Sequence, residues 1–157
     1  MNGGRWIAAF LLAALLSGCA SLAPYRVPSD RLGRIRLLTP VSGTVSSGFG
    51  KRSNGHHAGI DILGTAGTEV RAASAGIAEY AANGMRGYGN TVILYHGDGI
   101  TTLYGHLASI RVHSGDTVEA GTVIGTIGRT GNATANHLHF ELRVDGEAVD
   151  PTPYLNR

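Results

Sequence analysis

From about residue 38 onwards, the hydrophobic and polar positions fall into short strand-like runs punctuated by glycine. Such runs fall at Gly43–Ser47, Glu69–Ala72, Gly76–Ala81, Thr91–His96, Thr101–His106, Thr117–Glu119, Val123–Thr126 and His137–Val144. Between them stand turn signals such as "SNG", "ANG", "HGDG" and "VDGE". A helical period is hard to find in this region. The pattern predicts an all-β chain of many short antiparallel strands joined by Gly-rich turns. Glycine supplies 24 of the 157 residues, roughly twice its usual share, and it sits at turn positions rather than in a linker.

The N-terminal part reads differently. Residues 1–18 carry a short leading segment with Arg5, an apolar run from Trp6 to Leu16, and small residues leading to Cys19. This is the layout of a secretory signal peptide, and the run is too short to span a bilayer comfortably. Its end, Leu16-Ser17-Gly18-Cys19, resembles the lipobox of bacterial lipoproteins, which implies cleavage before Cys19 and lipidation of its thiol. Cys19 is the only cysteine, so no intrachain disulfide competes for it. A lipidated cysteine anchors a chain to a membrane without crossing it. Ala20 follows rather than aspartate, and by resemblance to Gram-negative lipoproteins this implies the periplasmic face of the outer membrane.

Charge divides the remainder. Arg26, Arg31, Arg34 and Arg36 against Asp30 make residues 20–36 a basic arm of +3. With Pro24 and Pro28 and few apolar residues, it reads as a tether, either merely solvated or lying against anionic lipid or cell-wall polymer. From residue 37 there are eight basic and ten acidic side chains, a balance of −2 that does not suit nucleic acid. The expected organisation is a signal peptide over 1–18, a lipidated cysteine and tether over 19–37, and one domain over 38–157.

Within that domain, "GDTVEAGTVIG" shares its glycine spacing with lipoyl and biotinyl carrier domains, where glycines permit close strand crossings. Carrier chemistry needs a lysine on an exposed hairpin, and the sole lysine, Lys51, lies far from this stretch. The likeness is one of architecture.

Seven histidines stand at 56, 57, 96, 106, 113, 137 and 139. In "NHLHFELR" His137 and His139 are two apart, so on a strand they share a face. In "HHAGIDI" His57 and Asp61 are four apart. Gly55, Gly59 and two β-branched isoleucines oppose a helix there. A fully extended strand would separate the two by ~13 Å, too far to share an ion, whereas a bend near Gly59 would bring them together. His56 is out of register and reads as an exposed turn residue. Histidine nitrogen and aspartate oxygen are both zinc ligands, and a catalytic zinc commonly has three protein ligands and one open position. One histidine of "HLH" is the natural third donor, leaving the other beside the metal. In "TTLYGH", Thr102, Tyr104 and His106 fall on one face by strict alternation; Tyr104 is a candidate for the wall of a groove, or for packing.

The order H-x-x-x-D (His57 to Asp61), Y-G-H-L (Tyr104 to Leu107) and H-L-H-F-E (His137 to Glu141) resembles the lysostaphin-type (LytM-like) zinc metallopeptidases over residues 38 to 154. The segments "NGMRGYGNTVILYH" and "VDPTPYL" are most similar to the NlpD-like lipoprotein branch, which is associated with cell division. The resemblance implies an antiparallel β-sandwich of the LytM type with a groove along one sheet. It implies one zinc ion held by His57, Asp61 and His139, with His106 and His137 as catalytic histidines. No H-E-x-x-H supplies a glutamate base, so proton transfer falls to histidine. Two functions follow from the resemblance: a zinc endopeptidase that cuts peptide stems or cross-links of peptidoglycan, or a non-catalytic activator of a cell-wall amidase or other division protein. Many NlpD-like proteins have lost zinc ligands; this chain keeps all five positions. The expected organisation leaves no room for the sugar-binding LysM module that often precedes the domain in that branch, and the "FGKRSNGHH" connection is short where relatives can carry a loop beside the groove.

Overall fold

The computed structural model describes residues 33–53 and 55–156. The expected signal peptide, Cys19 and most of the basic arm lie outside the described residues. The strands are β1 (Leu37–Leu38), β2 (Val45–Ser47), β3 (Gly50–Arg52), β4 (Gly55–His57), β5 (Ile60–Leu63), β6 (Glu69–Arg71) and β7 (Gly76–Met85). They continue with β8 (Gly89–Tyr95), β9 (Ile100–Ile110), β10 (Thr117–Val118), β11 (Val123–Ile127), β12 (His137–Val144), β13 (Glu147–Val149) and β14 (Leu155–Asn156). A single 3-10 turn, Thr152–Tyr154, is the helical element of the described residues. The all-β reading holds, and each of the eight predicted runs coincides with a strand. β7 and β9 run four residues past their predicted ends, to Met85 and Ile110.

The main sheet is antiparallel in the order β10-β7-β8-β9-β12-β5-β2. Strand β9 organises the fold. Its first half, Ile100–Gly105, pairs with β12, while its last residues, Leu107–Ile110, pair with β11, which pairs in turn with β6. The second leaf thereby folds back over the first. Val70, Ile124 and Ile127 from that leaf join one core with Ile60, Ile62, Val92, Leu94, Leu138, Phe140 and Leu142. This is an antiparallel sandwich whose interior is mostly aliphatic.

Two expectations need correction. The domain begins before residue 38: Ile35 and Leu37 are buried while Arg34 and Arg36 point outward, and β1 pairs with β14 in parallel. The arginines flanking Ile35 disguise the packed lead-in to this short strand as a tether. Tyr104 does not line a groove. It is fully buried against Phe140, and its hydroxyl accepts from the Ala73 amide at 2.8 Å. Thr102 Oγ1 lies 3.0 Å from that hydroxyl and 2.8 Å from His96 Nε2, so the buried polar groups satisfy one another.

The same strand departs from alternation just beyond Tyr104. Tyr104 and Leu107 both face the core with Gly105 and His106 between them, and the β8–β9 register slips between Asn90 and Val92. His106 has φ 62°, a left-handed backbone that is unusual for a residue with a Cβ. This β-bulge turns the His106 ring away from the core side that strict alternation assigns to it.

Candidate metal centre

The β3–β4 hairpin ends on His57, and the chain then bends through Ala58 and Gly59 into β5. Gly59 is required by space: a Cβ there would lie 2.2 Å from the Phe140 carbonyl oxygen on β12. The bend, rather than the extended alternative, brings His57 Nε2 within 3.2 Å of Asp61 Oδ1. Asp61 stands directly opposite His139 in the β5–β12 ladder, so the third group arrives by register. His139 Nδ1 is 2.8 Å from Asp61 Oδ1 and 3.1 Å from His57 Nε2.

The protons on these rings define what the cluster fits. His57 Nδ1 is 2.7 Å from the Gly48 carbonyl oxygen and donates to it, which leaves Nε2 bare in the neutral ring. His139 Nε2 is 2.9 Å from Glu141 Oε1 and donates there, which leaves Nδ1 bare in the neutral ring. Two lone pairs and a carboxylate oxygen thus converge on one point, an arrangement that needs a cation to be comfortable. Two nitrogens and one oxygen are a zinc donor set, with a fourth position open for water or substrate.

The electrostatics carry the same mark. Burial pushes the Asp61 carboxyl up, but the His139 hydrogen bond, the adjacent His57 and His139 charges and Arg52 outweigh it and hold it well below the usual carboxylate range. Burial pushes His139 down, but hydrogen bonds to Asp61 and Glu141 prevail and raise it, so when no ion is bound a proton on Nδ1 stands where a cation would. Arg52 Nη2 donates to Asp61 Oδ2 at 2.9 Å, so this carboxylate has one oxygen occupied and the other aimed at the histidines.

Two further histidines flank the cluster. His106 and His137 have ring centroids 4.7 Å apart. Each anchors Nδ1 on a carbonyl, His106 on Thr130 at 2.8 Å and His137 on Ala135 at 2.9 Å, so both turn Nε2 to the other side. His137 Nε2 is 3.6 Å from Asp61 Oδ1. Burial lowers the proton affinity of His106, as do the neighbouring His137 and His139; the Thr130 bond opposes them only in part. All five groups line one open pocket of about 470 Å³, bordered by Arg52, Tyr88, Asn132 and Thr134.

The loops that hold His106 interlock. Asn132 N donates to the Gly87 carbonyl, Asn90 N to Thr130 Oγ1, and His106 N to the Tyr88 carbonyl. Gly131 fits only as glycine: its φ is +66°, and a Cβ would lie 2.4 Å from Gly87 O.

The remaining histidines stay outside the cluster. His56 is exposed and packs edge-on against Phe49 at the pocket rim, His96 sits beside Thr102 and Ala75, and His113 is exposed near Asp116. The residues that sequence reasoning left without a role are Glu141, Tyr88, Arg52 and Thr130. Only Glu141 carried a signal, because it continues the alternation of His137 and His139.

Comparison with known proteins agrees with this geometry. The model of peptidase family M23 matches residues 55–151, more than half of the chain. Outer membrane antigenic lipoprotein B of Haemophilus influenzae is 43% identical over 118 residues, covering 75% of this chain and 29% of that protein. Murein hydrolase activator NlpD of Escherichia coli is 40% identical over 116 residues, covering 74% and 30%. The chain spans about a third of the length of these curated relatives. Among solved structures, the antimicrobial peptidase lysostaphin from Staphylococcus simulans superposes with a TM-score of 0.65 at 36% identity, over 72% of this chain and 50% of that one. With the family match running from the strand of His57 through the strand of His139, this chain belongs to peptidase family M23.

Proposed function

We propose that the chain is a zinc-dependent peptidoglycan endopeptidase, which hydrolyses peptide stems or cross-links of the cell wall and is held at the outer membrane by lipid on Cys19. The observation that carries this reading is the completeness of the site: three metal-type donors with bare lone pairs converge, and two more histidines present nitrogens beside them. His57, Asp61 and His139 would hold the ion. A zinc bound there supplies a Lewis acid for the peptide carbonyl and lowers the pKa of a coordinated water towards ~7.

The chain's own groups do the rest. His106, kept neutral by burial, takes a proton at Nε2 while Thr130 fixes its orientation. His137, steadied by Ala135, presents the second Nε2 to the developing charge or to the leaving amine. Arg52 holds one oxygen of Asp61 in place and adds to the histidines' hold on its ionised form. The open pocket admits an extended peptide from solvent, as a polymeric substrate requires.

The E. coli relative bears the name of a murein hydrolase activator, which supports a second reading in which the same groove docks on an amidase. The lipoprotein name of the H. influenzae relative supports the envelope location. Incubating the purified protein with peptidoglycan, with and without chelator, separates the readings. New peptide termini that vanish with chelator are expected of the peptidase. Stoichiometric zinc with no new termini, and acceleration of an added amidase, would establish the activator instead.

A further inference from the structure

Among the described residues, Glu141 is an acidic side chain with no solvent exposure, and it lies two residues beyond His139 on the same face of β12. A buried carboxylate is costly unless its lone pairs are filled. Here they are. Oε1 accepts from His139 Nε2 at 2.9 Å and from the Tyr88 hydroxyl at 2.7 Å, and Oε2 accepts from Arg143 Nε at 2.6 Å. Arg143 is itself held, since its Nη1 donates to the Gly146 carbonyl at 3.0 Å. Tyr88 packs its ring 5.4 Å from that of His139, and its backbone carbonyl accepts the amide of His106.

We infer that Glu141 is a positioning residue for the metal centre: it fixes the tautomer and ring angle of His139 so that Nδ1 is the bare nitrogen facing His57 and Asp61. The inference rests on the metal reading proposed above. A free imidazole places its proton on either nitrogen, and a proton on Nδ1 would block the atom that faces the cluster. An acceptor fixed behind Nε2 removes that choice, and outer carboxylates of this kind commonly set the orientation and basicity of metal-bound histidines. Tyr88 and Arg143 determine where the acceptor sits. Because Tyr88 also pins the amide of His106, one residue links the strand that holds the ion to the strand that handles protons.

The test is zinc affinity, measured by competition with a chromophoric chelator, together with the absorption spectrum of the cobalt-loaded protein. Glu141→Gln keeps size but places an amide where three donors converge. It is expected to bind zinc ~10–100-fold more weakly and to change the cobalt spectrum, while the melting curve of the zinc-free protein remains cooperative. Tyr88→Phe removes one donor at the pocket wall and is expected to weaken zinc several-fold, less than Glu141→Gln. A purely structural Glu141–Arg143 pair would lower the melting temperature but leave zinc affinity and cobalt spectrum unchanged, which overturns the inference. Should Glu141→Gln fail to fold, Tyr88→Phe decides, and wild-type zinc affinity in that variant overturns it. A wild-type protein that binds no zinc would overturn the function proposed above, and this inference with it. Tight wild-type binding with indifferent variants defeats the inference alone.

Discussion

Strands β9 and β12 are antiparallel neighbours that deliver histidines to one pocket by different means. β12 is regular: Leu138, Phe140 and Leu142 enter the core, while His137, His139 and Glu141 share the opposite face. Every second residue is available at no cost in backbone strain. β9 has one core-facing run up to Tyr104, another from Leu107, and a bulge between them that turns His106 outward at φ 62°. A regular strand suffices to place a metal-type donor opposite Asp61. Setting His106 beside His137 requires the bulge and the interlocked loops at 87–89 and 130–132 that hold it.

The largest test of this contrast is His139→Ala. It should weaken zinc by more than the roughly 10–100-fold that loss of an outer partner costs and abolish peptidoglycan cleavage, both read on one preparation. Next comes His106→Ala, which should keep stoichiometric zinc but slow cleavage by ~10²–10⁴-fold; loss of zinc there would erase the distinction between the strands. Gly131→Ala attacks the support of the bulge. It should destabilise the zinc-free protein by about 1–3 kcal/mol in denaturant titrations, and reduce cleavage more than zinc affinity. The smallest effect is the most specific. Removing the ring with glycine relieves a left-handed backbone at His106, worth ~1–2 kcal/mol, but loosens a regular strand at His137 by about 0.5–1 kcal/mol. His106→Gly should therefore cost less stability than His137→Gly, by roughly 1 kcal/mol or more. Equal costs would mean that the bulge is not strained.

How much of this was readable beforehand follows from the same contrast. Short runs rich in apolar and β-branched residues between glycine turns reveal β7, β8 and β11, and the strict alternation of β12 reveals the shared face of His137 and His139. Strand β5 escaped because Ile60-Asp61-Ile62 is short and enters from a bend whose reason, the approach of Gly59 to Phe140 O, is tertiary. β1 escaped because it is only two residues long and follows the arginines at 34 and 36, which mask the buried Ile35 and Leu37. The face of His106 was misassigned relative to Tyr104, since a bulge leaves no mark on a pattern of apolar and polar letters. Glu141 was in plain view as the next alternate residue after His139, but its role depends on Tyr88 and Arg143, of which Tyr88 is 53 residues away. Local periodicity reports which face a side chain occupies; it does not report which partners await it there.

The central claim is a division of labour in which His57, Asp61 and His139 hold the ion and His106 and His137 do not. An anomalous-difference map at the zinc edge, from crystals of the zinc-loaded protein, tests it most directly. The account predicts one peak at about 2.0–2.2 Å from His57 Nε2, Asp61 Oδ1 and His139 Nδ1, with His106 and His137 outside bonding distance. A peak ligated by His106 or His137, or no peak within this cluster, would contradict it.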